Sequence, residues 1–431
     1  MNDYDNWRAT ERPLKMHVLS VGSGNMILLA FPNGNFLLSD CNVTEDSKDE
    51  ILGYLRHIIP EMTYPGEDEA RRWIDIFANS HRDDDHLHGL DLVNEEFPIR
   101  SIWDSGQTGE STDATDYQYY MQLRRTLIEI YGESAVKVPA PSHAPFHREG
   151  KAEIYCLNSS EWVDEASNPH EAMLVLSVKY GGRSILLPGD SDYLAWKNRI
   201  LPEFCSEVAC EVLIASHHGS RSFFMEVVQD QEYSRDDFWT EHLKVINPNL
   251  VLISVDDGSK YGHPDPEALK EYKDQALNHV FTTHDCGHLV GVFQDNGRYT
   301  ICPSRFKRRR VGTKGLTIAA QLLDSNGAHF GGLASGCDVP RTYKIHFTAI
   351  PHGGLMTDAR KMKYEFEVSN GGIGGDHKHQ EIYFKGKTEP SAANEFKREV
   401  AYLGRHLLRC TAWCGTNTSV KVTDVFVVNG V

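Results

Sequence analysis

The chain has 431 residues, of which 44 are lysine or arginine and 61 are aspartate or glutamate, so its formal net charge is −17. This balance excludes a strongly basic nucleic-acid coat protein, because a net negative chain is not steered toward phosphates. The charge is also uneven: 13 basic and 10 acidic residues from Asp338 onward give that part +3, and the first 337 residues carry −20. Such an asymmetry indicates two modules with different partners.

In chain order, the first predicted elements are strands. Two apolar runs within 16–30 flank a Gly-Ser-Gly turn at 22–24, and a third run, 36–40, follows a turn at 32–35. A helix is predicted over 47–59 and a buried strand over 73–79. Further strands, predicted at 152–157, 174–180, 184–187, 211–215 and 250–254, are mixed with helices at 116–131, 193–204 and 266–275. Strands mixed with helices predict an α/β or α+β layered domain.

The pattern changes after residue 302. The run FKRRR at 306–310 is basic, and 325–336 is rich in glycine, alanine and serine, which predicts a connecting segment over 303–337. Five runs with strand character follow, at 343–350, 363–368, 381–385, 406–413 and 419–428. The predicted organisation is therefore a larger domain over 14–302 and a smaller β-rich domain over 338–431.

The densest group of chemistry-bearing residues is SHRDDDHLHGL at 80–90, directly after a predicted buried strand. It offers five potential metal ligands within six positions, which are His81, Asp83, Asp84, Asp85 and His86. A loop that leaves a strand end can direct such side chains into one pocket, and imidazoles and carboxylates are common ligands of divalent ions. The strand in front and the Gly-Leu pair behind disfavour the alternative, a solvated acidic loop with incidental histidines.

This segment resembles the His-x-His-x-Asp-His signature of the metallo-β-lactamase superfamily, with Asp83 in place of the second histidine. The exchange is similar to the hydrolase domain of ComEC-type DNA-uptake proteins, whose signature is His-x-Asp-x-Asp-His-x-x-Gly. Five other segments resemble motifs of this subgroup in the expected order: VLSVGSGNMILL at 18–29, FLLSDCN at 36–42, LLPGD at 186–190, SHHGS at 216–220 and KYGHP at 260–264. Within the first of them, Ser20 and Asn25 depart from the pattern of the subgroup. Over 14–302 the resemblance implies an αββα metallo-β-lactamase sandwich.

The resemblance also implies a hydrolase with two divalent metal ions. It assigns His81 and Asp83 to one ion and Asp85, His86 and a late histidine, His263, to the other, with Asp190 as the bridging carboxylate. One or both of His217 and His218 should also reach the site. His170 stands near the place of a further superfamily histidine, and Asn168 and Glu171 are the alternatives there, because the ComEC-like subgroup has an asparagine-rich stretch at this point.

The predicted chemistry is that of a two-metal hydrolase, in which two cations about 3.5–4 Å apart activate a water and hold the attacking and leaving oxygens. Asp83 in place of an imidazole hardens the site and favours Mn²⁺, Mg²⁺ or Fe, although zinc also accepts histidine and carboxylate ligands. We take zinc or manganese as the expected metals. The candidate catalytic residues are Asp85, His218 and Lys260, of which Lys260 can hold the charge of a phosphate and is equally compatible with a surface position.

Two motifs mark the C-terminal part: FEVSNGG at 366–372, followed by Lys385-Gly386, and YLGRHLLRC at 402–410. Taken alone, they predict only a β-sandwich with turns. Together they resemble the C-terminal sensor domain that accompanies bacterial nucleotide cyclases, called AGS-C, although phenylalanine and lysine replace its tryptophan and arginine. Over about 340–431 the resemblance implies a nucleotide second messenger as ligand, with contacts from Phe366, Asn370, Lys385, Tyr402, Arg405 and His406.

The preferred functional hypothesis is a sensor-gated phosphodiesterase, with DNA as the expected substrate, that acts in bacterial antiphage defence. One alternative is a metallohydrolase that acts on a small molecule such as a cyclic nucleotide or a lactone. It is favoured because the net charge of −20 over the first 337 residues repels long polyanions. The other is a metal-binding sensor without catalysis. The oligomeric state stays open, with a homo-oligomer among the alternatives.

The expected location is the cytoplasm. No apolar run approaches the ~20 residues needed to cross a bilayer, so we expect no membrane partner. The first twelve residues are polar and have no pattern of a secretory signal. The nine cysteines follow no regular spacing, which favours reduced thiols in a reducing compartment.

Overall fold

The fold is taken from a computed structural model of the chain. It describes residues 12–64, 68–107, 112–160, 169–228, 232–256, 262–304, 311–312, 316–323, 327, 329–333, 335, 337–340, 343–351, 362–371, 384–387, 392–400, 404–414 and 421–430.

Strands dominate the chain up to residue 312. They are β1 Leu14–Val18, β2 Ile27–Ala30, β3 Phe36–Ser39, β4 Cys41–Asn42, β5 Ile76–Asn79, β6 Ile102–Asp104, β7 Val136–Lys137, β8 His147–Glu149, β9 Ala152–Asn158, β10 Val175–Tyr180, β11 Arg183–Leu187, β12 Val212–Ile214, β13 Leu250–Ile253, β14 His279–Thr282, β15 Leu289–Phe293, β16 Tyr299–Pro303 and β17 Val311–Gly312.

The α-helices lie between these strands. They are α1 Lys48–Ile58, α2 Asp84–Leu87, α3 Leu90–Glu96, α4 Thr115–Tyr131, α5 Tyr193–Ala195, α6 Leu201–Phe204, α7 Glu241–Ile246, α8 Pro266–Gln275 and α9 Thr283–Cys286, and a π-helical turn, Trp196–Ile200, joins α5 to α6. No helix of the described residues is long and apolar enough to cross a membrane.

Two sheets form the centre of this part. The first has nine strands in the order β17-β16-β15-β1-β2-β3-β5-β6-β7, and the second has seven in the order β14-β13-β12-β11-β10-β9-β8. One core cluster contains buried residues of both sheets, such as Leu29 of β2 and Leu187 of β11, so the two sheets pack face to face.

Helices cover the outer face of each sheet. Leu55 of α1 and Leu127 of α4 pack against the first sheet, and Trp196 and Tyr272, the latter from α8, pack against the second. The four layers are thus helix, sheet, sheet and helix, and the αββα sandwich expected from the motifs is confirmed. Strands buried on both faces are nearly all apolar, which explains why short runs such as β11 to β13 could be predicted as strands.

Several central strands run parallel, and their carboxyl ends lie at one edge of each sheet. In the first sheet β3, β5 and β6 are parallel neighbours, and in the second sheet β11, β12 and β13 are. Loops at the carboxyl ends of parallel strands are the usual place for a ligand site in open α/β sheets. The segments that carry the predicted metal ligands follow β5, β11 and β12 at these ends.

The C-terminal part is a sandwich of two further sheets, as the β-rich prediction requires. Its strands are β18 Leu316–Leu323, β19 His329–Leu333, β20 Cys337–Val339, β21 Lys344–Pro351, β22 Met362–Gly371, β23 Phe384–Lys387, β24 Glu395–Glu399, β25 Gly404–Cys414 and β26 Lys421–Gly430. A four-stranded sheet has the order β19-β18-β21-β24 and a five-stranded sheet the order β20-β26-β25-β22-β23, with one apolar core from both. We call residues 316–430 the C-terminal module.

The structure differs from the prediction in the segment 303–337. The sequence analysis takes this segment as a connection, but β18 and β19 lie within it, and β18 pairs along its whole length with β21. β16 and β17 extend the first sheet to Gly312, so this sheet reaches into the same segment. Residues 316–323 form a strand because alternate side chains, Leu316, Ile318 and Ala320, are apolar and are buried in the core of the C-terminal module.

Candidate metal centre

The candidate ligands are positioned by strand ends and by strained turns. Asp40 follows β3, His81 follows β5 after one residue, and Asp190 follows β11 after a Pro-Gly turn. Asp40, His217 and His218 are three of the four non-glycine residues with positive φ among the described residues, at 57°, 48° and 54°. Such left-handed backbone is costly for residues with a Cβ atom and tends to occur where function requires a particular side-chain direction.

Four side chains converge most closely: Asp85, His86, Asp190 and His218. One ligand atom from each lies within 4.8 Å of all the others. His86 Nε2 is 3.3 Å from Asp190 Oδ1, and His218 Nε2 is 3.5 Å from Asp85 Oδ2 and 3.6 Å from Asp190 Oδ2. Two imidazoles and two carboxylates at these distances surround one point.

Buried atoms of this group face that point without hydrogen bonds. His86 Nε2, Asp190 Oδ1 and His218 Nε2 are fully buried and make no hydrogen bond with any residue that the structure describes. A divalent cation would satisfy all three at once, and histidine with carboxylate is a donor set that zinc and manganese accept. The residues present therefore fit a metal ion.

A second group of predicted ligands adjoins the first, with the His81 ring centroid 4.0 Å from that of His86. His81 Nε2 is 3.4 Å from Asp83 Oδ2, and the His81 ring centroid is 6.1 Å from that of His170. The His170 and His217 centroids are 4.9 Å apart, and His217 Nε2 is 3.6 Å from Asp190 Oδ2. Asp190 is thus in contact with histidines of both groups, which is the position that a bridging carboxylate requires.

His263 lies at the rim of the site rather than in the four-residue cluster. Its ring centroid is 5.5 Å from that of His217 and 6.5 Å from that of His218. The four-residue cluster contains His218, whereas His263 was predicted as the ligand beside Asp85 and His86. Lys260 and Asn168 lie outside the described residues.

A layer of hydrogen bonds fixes the histidine rings. His86 Nδ1 lies 2.9 Å from Asp40 Oδ2 and 3.2 Å from Ser80 Oγ, and Asp40 accepts from the Ser80 backbone N–H over 2.7 Å. The Nδ1–H of His218 donates to the carbonyl oxygen of Ser254 over 3.2 Å, and His217 Nδ1 is 3.0 Å from Ser222 Oγ. Because Nδ1 is engaged in each ring, Nε2 is directed to the centre of the site.

A buried ion pair holds the loop that carries four of the predicted ligands. Arg82, between His81 and Asp83, donates from Nε and a terminal nitrogen to the two carboxylate oxygens of Asp104 over 3.2 and 2.8 Å. Asp104 has no exposed surface, and it also pairs with Arg124 of α4 over 2.9 Å. The sequence analysis missed Asp104 because nothing local links it to Arg82, 22 residues earlier.

The electrostatic field keeps the carboxylates of the centre charged. Burial raises the pKa of Asp190, but the positive charge of neighbouring histidines, with His86 the strongest, outweighs burial and holds this pKa well below its usual value. For His86 the reverse applies: burial lowers its pKa, but the charges of nearby carboxylates, with Asp190 the strongest, raise it well above the usual value. Burial lowers the pKa of His217 to about 3. An ionised Asp190 is the form that binds a cation.

The structure places the predicted sensing residues in two different settings. Strand register brings Asn370 of β22 opposite His406 of β25, and β23 pairs with β22 so that Lys385 lies opposite the residue before Asn370. Arg405 is the neighbour of His406 on the same strand. These four residues therefore share one end of the five-stranded sheet, and Tyr402 lies outside the described residues.

Phe366 differs from its prediction. Its side chain is 3% exposed and stacks on Phe396 with ring centroids 5.4 Å apart, so its faces are used within the core and are not presented to a nucleobase. The inward direction follows from the pleat, because Tyr364 and Val368, two residues away on either side, are core residues as well. His406 instead lines a cleft between the two sheets together with Arg398, Leu408 and Phe426.

The fold and the centre together define an αββα sandwich with a candidate site for divalent metal ions at the carboxyl ends of its strands. Similar solved structures include unliganded yeast PDE1, at 12% identity and a TM-score of 0.41, covering 66% of this chain and 100% of that one. They also include a novel metallo hydrolase from the archaeon Ignicoccus hospitalis, at 11% identity and a TM-score of 0.36, covering 65% of this chain and 100% of that one. A diphosphatase of the PhnP family is similar at 12% identity and a TM-score of 0.33, covering 64% and 97%. No protein-family model and no curated protein matches the chain.

Proposed function

We propose that the chain is a binuclear metal-dependent phosphodiesterase whose activity is controlled by its C-terminal module. One observation supports this most strongly: Asp190 is in contact with two groups of histidine and aspartate side chains, and buried atoms of His86, Asp190 and His218 face one point without hydrogen bonds. A single structural cation would use one of these groups. The second group, around His81 and Asp83, favours two cations.

The two proposed ligand sets follow from the distances. Asp85, His86 and His218 would hold one cation, His81, Asp83, His170 and His217 would surround the other, and Asp190 would contact both. His263 remains a candidate at the rim. When bound, such cations act as Lewis acids, which makes water acidic enough to lose a proton near neutral pH and stabilises charge on a phosphate.

The residues of the chain contribute orientation and exclusion of water. Asp40 and the Ser254 carbonyl fix the rings of His86 and His218, so little reorganisation is needed when a substrate binds. His86, Asp190 and His218 are each at most 3% exposed, and burial strengthens the electrostatic interactions within the site. Asp85 has a side chain that is 39% exposed, so it is the most open of the four clustered ligands and lies where a substrate would enter.

DNA is the proposed substrate, by the resemblance of the motifs to ComEC-type hydrolase domains. The charge of −20 over the first 337 residues favours the alternative of a small phosphodiester or a lactone, because it repels a long polyanion. Two divalent cations would neutralise only four of these negative charges, so binding of DNA requires a locally basic path on the protein surface. The Lys307–Arg310 run, which lies outside the described residues, is the candidate for that path.

Control by a nucleotide second messenger is the remaining part of the proposal. The cleft of the C-terminal module is lined by His406, Arg398 and Glu399 among apolar side chains, so its lining does not by itself select an anion. An anionic ligand is proposed from the resemblance to the AGS-C sensor domain, in agreement with the net charge of +3 from Asp338 onward. We propose a role in antiphage defence from the resemblance of about 340–431 to the AGS-C sensor domain. We propose the cytoplasm as its location because the nine cysteines follow no regular spacing.

A substrate panel with defined metals tests the proposal. Purified protein, loaded with Mn²⁺ or Zn²⁺, is offered plasmid DNA, cyclic nucleotides, a chromogenic phosphodiester and a lactone, with metal content measured by mass spectrometry. Asp190→Asn should lose at least one metal equivalent and the hydrolysis of phosphodiesters. His143→Gln is the matched control, because His143 is a surface histidine held by Glu203 and Glu207, each 3.0 Å away. Two bound metals with no hydrolysis of any substrate would support the sensor alternative, and Asp190→Asn with full activity would exclude the proposed centre.

A further inference from the structure

A buried arginine joins the αββα sandwich to the C-terminal module. Arg183, the first residue of β11, has a side chain that is 3% exposed and pairs with Glu211 over 3.3 Å and with Asp424 over 3.4 Å. Its Nε also donates to the carbonyl oxygen of Gly297 over 2.7 Å. Glu211 immediately precedes β12, whereas Asp424 belongs to β26 of the C-terminal module. The guanidinium therefore binds the residue before β12, the turn between β15 and β16, and one strand of the C-terminal module.

The two modules are in close contact around this arginine. Gly182 has φ of +70°, and a Cβ atom at this position would lie 2.1 Å from the carbonyl oxygen of Ser335, so only glycine fits. Asp424 is 2% exposed, and its second carboxylate oxygen accepts from the backbone N–H of Ile318 over 2.8 Å. Asp424 is thus fixed within its own module by one oxygen and pairs with Arg183 through the other.

The opposite ends of the same strands carry the candidate metal ligands. β11 begins at Arg183 and is followed by Asp190, and β12 begins after Glu211 and is followed by His217 and His218. These strands are parallel neighbours, with Ile185 opposite Val212 in the register. At about 3.3 Å per residue, the four steps of β11 from Arg183 to Leu187 span roughly 13 Å.

The third parallel strand repeats this arrangement. β13 begins after Asn249, whose side-chain amide donates to the hydroxyl of Tyr299, and the Arg183 guanidinium lies 5.6 Å from the centre of the Tyr299 ring. At its other end, β13 is followed by Ser254, the acceptor for the His218 ring. Three adjacent strands therefore begin around one buried arginine and end around the metal-binding cluster.

We propose that Asp424 is a positioning residue for the metal centre, acting from the C-terminal module through Arg183 on the strands that carry the ligands. The inference rests on the proposed metal centre and adds to it the route by which the module affects the site. β11, β12 and β13 are buried on both faces in a close-packed core, so a shift of their first residues is not absorbed by soft surroundings. A change of the Arg183–Asp424 contact therefore alters the spacing of Asp190 and His218.

The substitution Asp424→Asn tests this with little cost to folding. An asparagine oxygen can still accept from Ile318 N–H, and Arg183 keeps Glu211 as its counter-ion, so no buried charge is left without a partner. We expect Co²⁺ or Mn²⁺ to bind Asp424→Asn about two- to thirty-fold more weakly than wild type, the range typical of coupling between distant sites. The d–d absorption of bound Co²⁺ should shift, and Asp424→Glu should restore most of the affinity.

Glu395→Gln is the matched control. Glu395 is a carboxylate of the same module, and it pairs with His346 over 3.2 Å within that module. Its loss should leave the affinity and the Co²⁺ spectrum unchanged. If Asp424→Asn has the same metal affinity and Co²⁺ spectrum as wild type and Glu395→Gln, the inference is overturned.

A measurement on the wild-type protein does not depend on the variant folding. Coupling between two sites is reciprocal, so saturating metal should slow hydrogen exchange at the Ile318 amide and in β26 by a factor in the same range. Unchanged exchange there, with metal bound, would overturn the inference and leave the proposed metal centre intact. If wild type binds no cation, the metal centre itself is wrong, and the positioning role of Asp424 is refuted with it.

Discussion

Asp104 is the residue whose substitution tests the structure of the metal-binding loop most directly. Its carboxylate is fully buried, and it accepts two hydrogen bonds from Arg82 and one, over 2.8 Å, from the backbone N–H of Gly106. Arg124 pairs with the same carboxylate. Asp104→Asn keeps the size of the side chain and an acceptor for Gly106, but it removes the negative charge that balances two arginines.

The expected loss follows from the burial of those arginines. The side chains of Arg82 and Arg124 are 7% and 20% exposed, so water can replace the missing carboxylate only in part. Breaking a buried ion pair from one side costs about 3–5 kcal/mol of folding free energy, because a buried charge is left uncompensated. Glu96→Gln is the matched control: Glu96 binds Arg56 through two nitrogens as well, but at 28% and 49% exposure, and exposed pairs contribute about 0–1 kcal/mol.

Urea unfolding provides the assay. Trp103, which is 2% exposed and precedes Asp104, supplies a fluorescence signal from this part of the sandwich. Because the two modules can unfold in separate steps, the free energy is taken from the transition that this tryptophan reports. A loss in Asp104→Asn no larger than in Glu96→Gln would refute the assignment of Asp104 as the counter-ion that holds the loop.

Three other outcomes are expected. Asp40→Asn should weaken metal binding about 10–100-fold in calorimetric titration, because Asp40 orients the His86 ring. Metal at 100 times its dissociation constant should raise the free energy of unfolding by about 2.7 kcal/mol, and a chelator should reverse the gain in the same urea assay. Burial lowers the pKa of His242 to about 3 from 6.5, so the unfolded chain binds a proton that the folded chain does not as the pH falls through this window. Stability should therefore fall toward acid by up to about 1.4 kcal/mol per pH unit from this group, and His242→Phe should show a smaller slope between pH 6.5 and 3 in urea unfolding at stepped pH.

The sequence predicts the candidate metal-binding loop because the information for it is local. Several ligands lie within six positions after a buried strand, and a strand end is a fixed point in the fold. Contacts between distant segments carry no such pattern. The bond from His218 to Ser254 joins residues 36 apart, and the pair of Arg183 with Asp424 joins residues 241 apart. Nothing in one sequence indicates which carboxylate meets which arginine across such distances.

The segment 303–337 shows a different kind of error. Its glycine, alanine and serine content suggests a connection, but a signal for a strand was present, since apolar residues alternate at Leu316, Ile318 and Ala320. Phe366 is the opposite case. A motif position suggested a ligand contact, whereas the alternation of Tyr364, Phe366 and Val368 indicates one inward face of β22. In both places the period of two in the strand is more informative than composition or motif.

The direction of the strands restricts how the C-terminal module can act on the centre. Asp424 and Ser335 meet the sandwich at the amino ends of β11 to β13, whereas Asp190 and His218 lie at the carboxyl ends. These contacts place the module at the end of the sheet remote from the substrate side. A ligand in the cleft beside His406 would then change the positions of the strands rather than cover the site. Control of this kind predicts that a ligand of the module changes metal affinity even when no substrate is present, which direct occlusion would not do.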